Sequence, residues 1–157
     1  MREALNIRKK MRGVLDYQVF KNGLLLVEEK NNNLILNNAD KVVARMLALG
    51  SYVSDTLITK IVFGTNNAVS NPATTSLSGD TYTKDLVGML YEEVNTVKYS
   101  FVLNVGEFNG KDIWQFALAT GEGELFSMFS RNPTYASPIE KTDEVFIIGH
   151  WNIILES

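Results

Sequence analysis

The sequence predicts a mainly β domain, an antiparallel β-sandwich or jelly-roll-like fold with one short α-helix at about residues 39–49. Three observations predict it. Apolar and polar residues alternate over much of the chain, which is the period of a strand with one buried face. Two Asn-Gly pairs, Asn22-Gly23 and Asn109-Gly110, stand between such runs and supply the positive backbone angles of tight hairpin turns. A single segment changes to a helical period.

The chain has 157 residues, of which 45% are hydrophobic, enough for one domain that buries about 70% of its unfolded surface. It divides into a basic N-terminal arm, residues 1–12, and one β-rich domain, residues 13–157. The arm carries Arg2, Arg8, Lys9, Lys10 and Arg12 against one acid, Glu3. It reads as a solvated terminus or as an arm reaching an acidic neighbour.

Taken in order, Val14 to Phe20 and Leu24 to Val27 form the first hairpin. Asn33 to Asn37 reads as an Asn-rich turn. Ala39, Val42, Val43, Met46, Leu47 and Leu49 then recur at helical spacing. Asn38 occupies the N-cap position, Asp40 favours the positive end of the helix dipole, and Gly50 fits a left-handed C-terminal cap. Ile58 to Phe63 is a strand that stops at Gly64. Thr65 to Asp85 is polar, with Pro72 and Gly79, and reads as a long loop that is either a surface excursion or a functional element.

Leu86 to Tyr91 is the next strand. In Val97 to Val105, residues Val97, Tyr99, Phe101, Leu103 and Val105 share one face. After the second Asn-Gly turn comes Ile113 to Ala119, in which Trp114, Phe116 and Leu118 share a face. Gly121-Glu122-Gly123 turns the chain into Glu124 to Ser130. Pro133 and Pro138 bracket an irregular crossing, and Val145 to Leu155 is the last strand, making about eight in all.

Composition excludes much chemistry. The cysteine count of zero removes disulfides, thiolate metal sites and cysteine nucleophiles. A net charge of -3 argues against nucleic acid as the main partner. No apolar stretch approaches a membrane span, and Met1 to Arg12 lacks the apolar region of a signal peptide. The chain therefore reads as made in the cytosol and not secreted.

The single histidine, His150, stands beside Trp151 with no motif to complete a triad. Glu92 and Glu93 are adjacent on a strand and point to opposite faces. Glu122 and Glu124 lie at a turn, where exposed acids are common. No loop shows the alternating acids of a specific calcium site, and no Gly-rich phosphate loop is present. Trp114, Phe116, Phe126, Phe129, Tyr135 and Trp151 read as core; the alternative is a sugar-stacking platform. No catalytic, cofactor-binding or metal-ligating residue is assigned, no cofactor is expected, and the chain is read as a non-enzyme.

The order of elements carries a resemblance. Asn33-Leu34-Ile35-Leu36-Asn37 leads into the helix Lys41 to Gly50, and Ile58 to Thr65 forms a strand ending in glycine. Glu124-Leu125-Phe126 continues to Ser130-Arg131. Ile139-Glu140-Lys141-Thr142 then precedes Trp151-Asn152-Ile153-Ile154-Leu155. In these places residues 13–157 resemble small structural proteins of tailed bacteriophages and prophages, often encoded among tail and baseplate genes. Two features depart from that pattern. Gly64-Thr65-Asn66 stands where Gly-Thr-Gly is common, and Met1 to Arg12 has no counterpart.

The resemblance implies a virion component made in the bacterial host's cytoplasm. Its expected partners are copies of itself and other virion proteins of the tail, baseplate or fibre attachment. A capsid decoration or head-fibre protein is the second option. A carbohydrate-binding module for a host-surface glycan, using the Thr65 to Asp85 loop, is the third. No membrane partner is expected.

Overall fold

The computed structural model describes residues 11–49 and 54–156. The chain opens with strands β1 (Met11–Lys21) and β2 (Leu24–Ile35), then helix α1 (Ala39–Leu49) and a 3-10 turn at Ser54–Thr56. Strands β3 (Ile58–Gly64), β4 (Thr81–Asp85), β5 (Gly88–Glu93) and β6 (Thr96–Leu103) follow. The remainder is β7 (Lys111–Ile113), β8 (Gln115–Thr120), β9 (Leu125–Ser130), β10 (Ile139–Lys141) and β11 (Val145–Leu155). The β1–β2 turn is built as the sequence predicts, with Asn22 and Gly23 at φ 51° and 80°.

Nine strands form one antiparallel sheet in the order β4-β3-β8-β9-β2-β1-β11-β6-β5. β7 and β10 pair separately. Strand β2 pairs with β1 from Leu24 to Asn33 but with β9 only through Leu34 and Ile35. At that narrow junction the sheet curls over itself and becomes β-sandwich-like. Leu15, Tyr17, Phe101, Ile147 and Trp151 from one half then pack in one cluster with Ile61, Phe63, Phe116, Leu118 and Phe126 from the other.

A second, smaller cluster lies on the outer face of β3, β8 and β9, where Leu36, Val62, Ala117, Ala119, Leu125 and Met128 meet Leu34 and Leu77. Leu77 comes from the polar stretch after β3, so much of that stretch lies against the sheet. Asn37 N donates to Pro72 O (2.7 Å), and Ser70 Oγ lies 2.8 Å from Ser130 Oγ. The long-loop reading of Thr65 to Asp85 is corrected in another way: its last five residues are β4, paired with β3. With both faces covered, every residue of β8 is buried.

Buried polar groups are tied into this core. Arg131 donates through Nε to Ser137 O (2.7 Å), through Nη1 to Glu29 Oε1 (2.7 Å), and to the Tyr17 hydroxyl. Lys141 ends on Asn109 Oδ1 (2.7 Å), Thr142 O (3.0 Å) and Val105 O (3.4 Å). Asn33 Oδ1 accepts from Trp151 Nε1 (3.2 Å) and Ser127 Oγ (2.6 Å).

Several local readings are corrected. Asn33 to Ile35, read as the start of a turn, belong to β2, because Asn33 is drawn inward by Trp151 and Ser127; the turn is at Asn37 and Asn38. Asn38 donates its side-chain amide to Leu125 O (3.4 Å) instead of accepting from the helix, while its carbonyl accepts from Val42 N. Helix α1 buries Ala39 and Val42 and leaves Leu47 83% exposed, since only its first two turns lie over the sheet. The cap expected at Gly50 lies outside the described residues. Trp114 is half-buried because the chain breaks between β7 and β8 there, with Trp114 N donating to Gly64 O (2.9 Å). Val105 lies beyond β6 and is exposed. Met11 and Arg12, assigned to the basic arm, are part of β1 and pair with Leu155 and Ile154. The rest of the arm lies outside the described residues.

The interior makes stability depend on alkaline pH. Burial pushes the Tyr99 phenol up to about 12, above its ordinary value of about 10. Burial, and secondarily the hydrogen bond to Glu29, raise Tyr17 as well. A folded pKa above the unfolded one stabilises fully below pH ~10 and is lost as pH rises through the folded value. Tyr99 is expected to withdraw about 2–3 kcal/mol between pH ~10 and ~12. Urea unfolding of Tyr99→Phe over that range should show a shallower decline than the parent. Equal slopes would contradict the assignment.

Candidate functional site

His150 receives more company than the sequence indicated. The β1–β11–β6 register carries Asp16, His150 and Ser100 into one row across three strands. Ser100 Oγ lies 3.0 Å from His150 Nδ1. Burial, and secondarily the charge of Lys98, lower the imidazole pKa, while Asp16 and Glu92 oppose them. The row has the residue types of a hydrolytic triad without its connectivity. Asp16 acts on the ring through charge and makes no hydrogen bond to it. In a working triad the acid holds one ring nitrogen while the serine uses the other. Cross-strand pairing alone brings such neighbours together, and no sequence spacing would have revealed it.

The register shifts between Tyr91 and Glu93, so simple alternation does not set the faces of Glu92 and Glu93, and the second acid pair is structural. Glu92 lies 3.5 Å from Lys98 Nζ. Glu122 and Glu124 converge on Arg45 of α1, and Glu124 also pairs with Lys41 (3.0 Å), so they fasten the helix to the β8–β9 turn. No group of three or more His, Cys, Asp or Glu able to hold a metal occurs among the described residues. No helix among them is long and apolar enough to cross a membrane. Of the six aromatics, Phe116, Phe126 and Trp151 are buried, Trp114 and Phe129 are half-buried, and Tyr135 is 86% exposed. They form no common platform.

The two ends of the nine-stranded sheet differ sharply. At β4, Tyr82 turns inward to stack on Phe108 (5.6 Å between centroids) and Lys84 pairs with Glu107 (2.6 Å). What β4 presents to solvent is Thr81, Thr83 and Asp85, a polar edge of the kind that resists pairing. At β5, Met89 and Tyr91 pair with Tyr99 and Val97 and so share the inner side of the sheet. They nevertheless remain 67% and 69% exposed, because the strand overhangs the sandwich. Leu90, on the other side, and the flanking Val87 and Val94 are also exposed. This strand has apolar side chains on both faces, and among the described residues no strand pairs with its outer row of main-chain donors and acceptors. The sequence shows the strand but not that it is an edge.

A third feature lies under the segment after β3. Two adjoining depressions, of about 340 and 220 Å³, lie beside residues 66–78, a shallow one between the end of β2 and β9 and a deeper one against Gln115 and Met128. Val69, Ser70 and Met128 line both. Comparison with protein-family models, with curated proteins and with solved structures finds no match to this chain.

Proposed function

We propose that this chain is a structural component of a tailed-phage virion, assembling as repeated copies in the tail, baseplate or fibre-attachment region. Capsid decoration is the alternative location. The virion assignment rests on the sequence resemblance described above. The assembly role is carried by one observation, the apolar open edge of β5.

A strand edge is completed only by another strand, which satisfies the main chain while side-chain pairs set the register. A second copy meeting β5 antiparallel about a two-fold axis at Leu90 satisfies both. That register places Met89 beside Tyr91 of the partner subunit and Glu92 beside Gly88 of the partner subunit. No acid then faces an acid. Pairing β5 against β4 would set Met89, Leu90 and Tyr91 against Thr81, Thr83 and Asp85, which offers no apolar partner.

The protein is expected to self-associate reversibly in sedimentation velocity. Leu90→Lys combined with Tyr91→Lys should abolish association, with fold retained because both positions are exposed. Thr83→Lys on the other edge should leave it unchanged. Mass spectrometry of purified particles tests the virion assignment separately. A strictly monomeric protein found in no particle would defeat the proposal.

A further inference from the structure

The paired depressions beside residues 66–78 have a feature that structural packing does not explain. Gln115 of β8 is 4% exposed and lines the smaller one. Its Nε2 donates to Ala68 O (3.1 Å) and more distantly to Ser130 Oγ (3.4 Å), which fixes the orientation of the amide. Its Oε1 is then buried without any donor. A buried carbonyl oxygen left this way is destabilising, and such groups in native proteins call for an explanation. Gly64 keeps the surroundings open, since a Cβ there would come within 3.1 Å of Leu77 and 3.3 Å of Oε1.

The lining defines what would enter. Ser70, Thr74, Ser76 and Ser78 supply hydroxyls, and Asn71 and Gln115 supply amides. The larger one adds Asn32, Asn33 and Ser130, with Leu34, Val69 and Met128 as its apolar wall. Among the described residues, no charged side chain lines either depression. An ion entering would lose its hydration with no countercharge to replace it. A neutral molecule rich in hydroxyls would exchange water for side-chain hydrogen bonds and lay its C–H face on Met128, Leu34 and Val69. The two volumes together fall in the range of small-molecule sites, about 300–1,000 Å³.

We infer that this is a binding site for a neutral saccharide, with Gln115 Oε1 accepting from a ligand hydroxyl. The site is separate from β5 and independent of assembly. The test combines an array of neutral and acidic glycans with NMR titration, using N-acetylglucosamine and methyl glucoside as neutral probes and glucuronate and glucosamine as charged counterparts. Neutral sugars should shift the amide signals of Ser70, Ser76 and the Gln115 side chain, and charged counterparts should not.

Gln115→Leu should weaken binding roughly ten-fold. Because that change also removes the bond to Ala68, Ser76→Arg at an exposed position provides a second variant, which should abolish binding while leaving other signals unmoved. Binding should persist in the Leu90→Lys, Tyr91→Lys protein, which separates this inference from the assembly proposal. Absence of any bound neutral glycan on the array together with unshifted signals at millimolar sugar would overturn it. So would equal binding of the charged counterparts.

Discussion

Replacing Phe116 by alanine is expected to cost about 3–5 kcal/mol of stability, the range for a buried phenylalanine removed from a packed core. The ring centroid lies 4.8 Å from Tyr17, 5.5 Å from Phe63, 6.1 Å from Phe101 and 6.3 Å from Phe129. Tyr17 and Phe101 belong to one half of the sheet and Phe63 and Phe129 to the other, so Phe116 joins the two halves across the interior. Neither half can collapse far into the void, because each strand is held by its ladder. Domains are commonly stable by only about 5–15 kcal/mol, so the variant should unfold at a much lower urea midpoint. Tyr135→Ala, at an exposed ring, should change stability by less than about 0.5 kcal/mol. A loss under about 1 kcal/mol at Phe116 would mean the halves are not packed together through it.

Gly149→Ala is expected to be nearly as damaging, about 3 kcal/mol, at the upper end for overpacking. An added Cβ would lie 2.5 Å from Phe101 Cζ and 2.8 Å from the carbonyl oxygen of Asp16. Phe101 pairs directly with Gly149, and its ring covers the bare backbone. The Asp16 carbonyl cannot retreat, since β1 is hydrogen-bonded on both sides. Propensity alone predicts the opposite sign, because glycine within a strand loses about 0.5–1 kcal/mol relative to alanine. Calorimetry of Gly149→Ala with and without Phe101→Leu decides the matter. The second change should restore part of the loss, and additive effects would show that the ring is not the obstacle.

Much of the fold is legible in the chain because its causes are local. The Asn22-Gly23 turn needs only two residues able to adopt positive φ. Strand β11 alternates buried and half-buried residues from Val145 to Ile153, so its pattern is visible without a partner. The helix begins where the period changes, at Ala39. Failures occur where distant segments decide. β4 looks like loop because its buried side, Tyr82 and Lys84, is satisfied by Phe108 and Glu107. Asn33 looks like a turn residue because its partners, Trp151 and Ser127, are far along the chain.

The candidate sites divide in the same way. Residue types and spacing were enough to mark Leu86 to Tyr91 as a strand, which the structure sets at Gly88–Glu93, and to mark the segment after Gly64 as polar. By itself the sequence determined a β-rich chain with one short helix, the Asn22-Gly23 turn and the alternation that builds an inner face, all products of backbone sterics and nearest-neighbour periodicity; the hairpin expected at Asn109-Gly110 is not formed, since β7 pairs with β10 instead of β6. Tertiary structure alone decided that β5 ends the sheet, that Gln115 is buried beneath residues 66–78, and that Asp16, His150 and Ser100 share a row. Those outcomes follow from strand order and register, which are set by contacts between residues tens of positions apart and leave no local mark.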